Sequence, residues 1–369
     1  MSHRAYVEVD LAAIAHNVST IKASTDAKIL AVVKADAYGH GIVPVAQTAL
    51  SSGATWLGVA LLEEAITLRK AGISDPIISW LTPPGDDFVA ALRHDIDLSV
   101  SSVGLLHEIV EAGKSLGVKP RIHIEVDTGM RRGGLLQEWN LFLSELLAQK
   151  DLCHVVGLWT HFARADEPDS SATLEQEKVF ESYLSDMTSA GITPEIIHLS
   201  NSAATLNFPS AHKNMVRLGI SMYGLSPDVS TMGSSSKYQL KPAMTLKGKL
   251  SLIKKAAAGS AVGYGGTAIL ESDTHLGIVV LGYSDGIPRN ANNQAGVWIN
   301  GNRAPIVGRV SMDQFVVNLG ATTTAKAGDY VTVFGAEGYS IDEWASACST
   351  INYEIVTRIA SRVERIYVN

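Results

Sequence analysis

The sequence predicts an α/β chain with an N-terminal (β/α)8 TIM-type barrel over residues 1–230 and a C-terminal mostly-β domain over residues 231–369. Three observations carry that expectation. From residue 28 onward, eight apolar, β-branched runs alternate with amphipathic stretches, the rhythm of repeated β-α units. After Ser226-Pro227 the rhythm stops, and short alternating segments separated by Gly- and Pro-bearing turns take over. The length of 369 residues also exceeds what one hydrophobic core commonly serves.

The eight runs are KILAVV at 28–33, WLGVA at 56–60, IISWL at 77–81, DLSV at 97–100, RIHIEV at 121–126, HVVGLWT at 154–160, EIIHL at 195–199 and MVRLGI at 215–220. Several are almost unbroken in Val, Ile and Leu, as strands covered on both faces require. Between them, 61–71, 105–116 and 174–187 return apolar residues at spacings of three and four and read as helices. Residues 228–240 (DVSTMGSSSKYQL) read as an exposed linker. Beyond it, segments at 243–253, 275–281, 304–310, 314–319 and 330–334 alternate as strands, and one helix near 341–347 closes the domain.

Composition narrows the function. A formal net charge of −7 with no Lys/Arg block argues against nucleic acid or an acidic membrane surface as the main partner. The apolar fraction of 46% without a long apolar run gives no membrane span. The two cysteines, Cys153 and Cys348, match no metal-ligand spacing and read as reduced structural thiols, and no metal is expected. Glu8 and Asp10 fall where a secretion signal needs an apolar segment, so a cytoplasmic location and a small-molecule substrate are expected.

A barrel of this kind gathers its chemistry at the C-terminal ends of its strands, with phosphate held after the seventh and eighth. Lys34 ends the first run against apolar neighbours, where partial desolvation would lower its pKa toward that of a Schiff-base lysine. After the seventh run comes HLSNSAA at 198–204, a hydroxyl-rich turn into a helix start suited to a phosphate dianion. After the eighth comes RLGISMYG at 217–224, where Gly219 lets backbone amides approach a ligand closely.

On these residues the chain resembles the alanine racemases, barrel-type (fold type III) enzymes dependent on pyridoxal 5′-phosphate. Nine motifs carry the resemblance over nearly the whole length: VVKADAYGHG at 32–41, DTGM with Arg132 at 127–132, THFARAD at 160–166, NSAA at 201–204, RLGISMYGLSP at 217–227, VGYGG at 262–266, GYSDGIPR at 282–289, VGRVSMDQ at 307–314 and INYEIVTRI at 351–359. The resemblance implies a two-base interconversion of L- and D-alanine that supplies D-alanine for peptidoglycan. It implies Lys34 as the Schiff-base lysine and one catalytic base. Tyr264, from the second subunit of a homodimer with shared active sites, is the other. It further implies phosphate contacts from Tyr38, Ser202, Gly219, Ile220 and Tyr353, and cofactor contacts from Arg132, His161 and Arg217. Arg217 resembles the arginine that faces the pyridine nitrogen and suppresses side reactions, and His161 resembles the histidine linked to Arg217 and Tyr264. Substrate carboxylate binding falls to Arg132 and the amide of Met312, with Asp313 nearby.

Glu125 stands where bacterial members commonly carry a carbamylated lysine. A glutamate supplies the same negative charge, and the expectation is a charge-assisted hydrogen bond that orients Arg132. The alternatives are a racemase of broader specificity, for instance toward serine, and a barrel-type amino-acid decarboxylase. The latter chemistry favours a carboxylate where Arg217 stands.

Overall fold

A computed structural model describes residues 3–369. The chain divides into two compact units. One holds Ile14–Ala37 and Ile42–Lys241; the other holds the N-terminal segment to Ala13, Tyr38–Gly41 and Pro242–Asn369.

The first strand, β1 (Ala5–Asp10), belongs to the second unit. The barrel strands are β2 (Lys28–Val32), β3 (Trp56–Val59), β4 (Ile77–Ser79), β5 (Asp97–Val100), β6 (Arg121–Glu125), β7 (His154–Trp159), β8 (Ile196–His198) and β9 (Met215–Leu218). They fall on the eight expected runs. All pair in parallel in the order β8-β7-β6-β5-β4-β3-β2-β9. Helices pack outside them, and most strand residues are buried. The seam between the outermost strands is drawn together by Arg217 N donating to Ser200 O (2.9 Å) and by Asn214, which accepts from Ile197 N and donates to Glu195 O. The result is a nearly closed eight-stranded barrel. Pairing aligns Glu125 with Trp159 and Trp159 with His198, so three strand ends meet in one layer.

The second unit is mostly strand. Its long β10 (Met244–Ala256) pairs with β1, β13 (Thr274–Val279) and β17 (Tyr330–Phe334), and changes register between Leu250 and Leu252. The sheet also takes β14 (Gly296–Ile299), β15 (Asn302–Pro305), β16 (Phe315–Asn318) and β18 (Glu364–Val368), the last parallel to β1. A separate two-stranded ribbon, β11 (Ala261–Val262) with β12 (Ala268–Ile269), carries the Tyr264 turn. The helix Ile341–Ala347 forms as expected, started by a Ser340/Glu343 capping box.

Two expectations are corrected and an N-terminal strand is added. Residues 228–240 are largely exposed, as expected, but they fold locally rather than forming an open linker. Asp228 caps a short helix at Val229–Met232, a 3-10 turn follows at Ser235–Tyr238, and Met232, Ser235 and Leu240 are buried in the barrel unit. The β unit holds a second helix, Asn352–Thr357. Outside the expected strand segments, the alternation AYVEVD near the N-terminus forms β1. Among the described residues no helix is long and apolar enough to cross a membrane.

Candidate active site

Lys34 follows β2 directly and opens an uncommon backbone. Ala35, Asp36, Ala37 and Tyr38 all take positive φ between 52° and 54°, a left-handed turn without a glycine. Each such residue costs about 1–2 kcal/mol, so the turn needs support from outside itself. Glu64 provides it: one carboxylate oxygen accepts from Ala35 N (2.5 Å), the other from Ala60 N and Leu61 N (3.0 and 3.1 Å). Asp36 in turn accepts from Ile42 N at the start of the next helix. Burial lowers the Lys34 ammonium pKa and the nearby Arg132 charge lowers it further, against the opposing pull of Glu64.

Arg217, near the end of β9, is buried in the barrel. Its guanidinium donates to His198 O (2.7 Å), Thr160 O (2.8 Å), Leu199 O (3.0 Å) and the Nδ1 atoms of His161 (3.2 Å) and His198 (3.3 Å). It also lies over the Trp159 ring, which stacks on His198. Burial pushes the guanidinium pKa down to about 9 while the charge of Glu125 pulls it back up. His161 is held well below the ordinary imidazole range by desolvation and by Arg217, Arg132 and Lys34, so it is neutral at neutral pH. Glu125 is raised to about 7, burial outweighing the attraction of Arg217 and Arg132. Its carboxylate packs beside the Gly133 backbone. Among the described residues it makes no direct salt bridge to Arg132, so the expected hydrogen bond is replaced by a longer-range attraction.

The turns after β8 and β9 meet. Asn201 caps the helix Ser202–Asn207 by accepting from Ala204 N, and Ser202 Oγ accepts from Gly219 N (2.9 Å) and Ser221 N (3.3 Å). Ile220 is buried behind them. Gly219 has ψ −112°, a backbone setting that side chains disfavour. The Ser221 hydroxyl on the same turn is buried without a hydrogen-bond partner among the described residues. Adjacent amides, a serine hydroxyl and an unmatched polar atom suit an anionic group.

Arg132 is presented by a tight loop in which Asp127 accepts from Gly129 N and Arg131 N. Gln176 of the outer helix Ser171–Ser189 ties this loop to the next. It donates to Thr128 Oγ1 and His161 O and accepts from Ala163 N.

In the β unit, the Tyr38 and Tyr353 rings lie 6.1 Å apart, and Arg365 anchors Gly39 O. Burial raises the Tyr38 phenol pKa, so it stays a hydrogen-bond donor. Met312 and Asp313 sit on a loop fixed by Ser284 Oγ, which donates to Met312 O and Asp313 Oδ1. Arg362 bridges Asp313 and buried Asp285, 2.6 Å from each. Tyr264 is 69% exposed on the glycine turn between β11 and β12. Cys153 and Cys348 are buried free thiols, both raised to about 11 by burial.

The barrel unit thus gathers Lys34, Arg132, His161, Ser202, Arg217, Gly219 and Ile220, and the β unit pairs Tyr38 with Tyr353 and fixes Met312 and Asp313. Sequence reasoning missed Glu64, Gln176, His198 and Arg362. Only Glu64 carried a local signal, as the acid three residues after Leu61 in a helix-start pattern.

Residues 9–227 match the family described as "Alanine racemase, N-terminal domain", and residues 243–367 match "Alanine racemase, C-terminal domain". The chain is 46% identical to the alanine racemase of Salinispora tropica over 371 aligned residues, covering 99% of this chain and 98% of that protein. Against the alanine racemase of Beutenbergia cavernae it is 45% identical, covering 100% and 99%. Among solved structures, it resembles alanine racemase from D-cycloserine-producing Streptomyces lavendulae with a TM-score of 0.97 at 41% identity, covering 100% and 98%. The enzyme from Bacillus anthracis with bound L-Ala-P gives a TM-score of 0.91 at 39% identity, covering 100% and 96%.

Proposed function

This chain belongs to the alanine racemase family and is an isomerase, and from that premise we propose that it interconverts L-alanine and D-alanine with pyridoxal 5′-phosphate carried on Lys34. When bound, the cofactor supplies an electron sink for the charge left on the α-carbon once its proton departs. The residues present fit it: an amine with a lowered pKa at a barrel strand end, and a serine-and-amide turn for a phosphate. Tyr38, Ser202, Gly219, Ile220 and Tyr353 would hold that phosphate.

Racemisation needs a proton taken from one face of the α-carbon and another returned to the opposite face. One base cannot readily serve both. Lys34 Nζ takes one face, its neutral form favoured by burial and by the Arg132 charge. The phenol of Tyr264 of the partner subunit takes the other. Arg132 and the Met312 amide would bind the substrate carboxylate, with Asp313 beside them. A homodimer with shared sites follows from the Tyr264 assignment. A cytoplasmic enzyme supplying D-alanine to peptidoglycan assembly is the role that suits this product.

The single observation that carries the reading is Arg217. Among the described residues its hydrogen-bond acceptors are all neutral carbonyls or imidazole nitrogens, so no direct carboxylate contact there neutralises its positive charge. Beside the ring nitrogen of a bound cofactor, the fixed cation of Arg217 would disfavour protonation there, a setting that suits proton return rather than decarboxylation or transamination.

The test is a coupled assay of purified protein on both alanine enantiomers and a panel of other amino acids that includes serine. Turnover of alanine in both directions is expected, with loss of activity and of the visible absorbance band in Lys34→Ala. Wild-type protein supplied with cofactor and inert toward both enantiomers overturns the proposal.

A further inference from the structure

A continuous polar chain crosses the barrel interior from Arg217 to the far side. His198 Nδ1 lies 3.3 Å from Arg217 Nη1, and His198 Nε2 lies 3.1 Å from His123 Nδ1. His123 Nε2 lies 3.3 Å from Asp97 Oδ2, and Arg121 closes the chain with Nε and Nη2 at 2.8 and 3.2 Å from the two Asp97 oxygens. Asp97, His123, His198 and Arg217 are all buried.

We propose that Asp97, His123 and His198 form a positioning relay that fixes the guanidinium of Arg217, with Asp97 setting the tautomer of both histidines. Proton bookkeeping leaves one arrangement. An ionised Asp97 only accepts, so His123 carries its proton on Nε2 and presents a lone pair on Nδ1. That lone pair requires the proton of His198 on Nε2, which leaves His198 Nδ1 as an acceptor. Arg217 can only donate, and it meets an acceptor. Reversing the tautomer of either histidine sets two donors face to face somewhere along the chain.

The surroundings are built for these rings. Trp56 packs edge-on against His123, at 5.3 Å between centroids, and Trp159 stacks on His198 at an interplanar angle of 11°. Trp159 is itself pinned by a hydrogen bond from Nε1 to Ser99 Oγ. Position 157 on β7 is a glycine, and a Cβ there would run into the His123 ring. Burial alone would raise the Asp97 carboxyl, but hydrogen bonds from His123 and Arg121, together with the Arg121 charge, hold it below the usual carboxylate range, so the anionic end is secure. None of the three touches substrate; they act through Arg217.

The relay rests on the assignment of Arg217 to the cofactor ring, yet its first test does not depend on turnover. In protein labelled with 15N-histidine, both His123 and His198 are expected as the neutral Nε2–H tautomer. A proton on Nδ1 of either ring in the wild type overturns the relay, whatever the activity, so its failure is told apart from failure of the functional reading. Asp97→Asn is then expected to mix the tautomers and lower kcat by about tenfold, with KM for alanine held within about twofold, the usual size for loss of an outer orienting partner. His123→Asn keeps an acceptor oxygen near the Nδ1 position and should restore most of the kcat that His123→Leu loses. Asp97→Asn with unchanged histidine spectra and unchanged kcat overturns the proposal. Should that variant fail to fold, the wild-type spectrum alone decides.

Discussion

Glu125 is the side chain on which the most physics converges. Its carboxyl titrates near 7 in the folded protein against 4.5 ordinarily, because burial costs more than Arg217 and Arg132 return. A raised acid binds more protons folded than unfolded between those values. Stability therefore falls as pH rises from about 4.5 to 7, and levels off above. Glu125→Gln removes that dependence. Between pH 5 and pH 8 the variant should gain about 2 kcal/mol on the wild type, allowing for the partial exposure of the site. Denaturant melts at the two pH values measure this directly, and parallel curves would remove the assignment. Kinetics read the same group from the substrate side. As the wild type is taken below pH 7, Glu125 protonates and stops balancing Arg132, so KM for alanine should climb. In Glu125→Gln it should be high and flat across the same range.

The left-handed turn after β2 shows how far an element can depend on a neighbour. Four consecutive residues, Ala35–Tyr38, sit at positive φ, and the turn is supported by a carboxylate 29 positions beyond Ala35. Glu64→Ala leaves three amides without their charged acceptor, and should cost about 2–3 kcal/mol in chemical denaturation. Lys34 should then release cofactor faster on dilution, since the turn that aims it is loosened. Gly157→Ala tests a second dependence. The added methyl meets the His123 ring inside a filled barrel, and should destabilise by about 2 kcal/mol or more. These two sites mark the boundary of what the sequence makes legible. The eight barrel strands were readable because burial on both faces writes an almost unbroken apolar run, and the helix at Ile341–Ala347 because Ser340 and Glu343 announce its start. Lys34 and Ser202 stood out as residues just after barrel strands, whereas Arg217 was singled out only through the family resemblance. β1 carries a clear local alternation, AYVEVD, but its place in the second unit rests on partners, β10 and β18, more than two hundred residues away, which no local period records. The short helix and buried anchors within 228–240 were not legible because its few apolar residues, Met232 and Leu240 among them, follow no regular spacing. Of the Arg217 acceptors only His161 was anticipated, through the family resemblance; the carbonyls of Thr160, His198 and Leu199 come from the ends of two strands, β7 and β8, and no local period records them.

A single chain presents Tyr264 at 69%, Met312 at 55% and Ile351 at 60% exposure, three apolar side chains left in water on the β unit. Exposed apolar side chains of this size suit an interface, and in the proposed homodimer a partner's surface could cover them. If the Tyr264 base acts in the site of the other subunit, every site needs Lys34 from one chain and Tyr264 from the next. That requirement has an arithmetic consequence. Lys34→Ala homodimers and Tyr264→Phe homodimers each lack one base at both sites, and both should racemise poorly. A mixed dimer has one site with neither base and one with both. After subunit exchange at equal amounts, random pairing makes half the dimers mixed, with one complete site in each. Activity should therefore return to roughly a quarter of the wild-type value per chain. Were both bases drawn from one chain, mixing would restore nothing at any ratio. Refolding the two variants together and separately, at matched total concentration, separates the cases. The recovery should also vanish on dilution below the dimer dissociation constant, because the complete site exists only while two chains are joined.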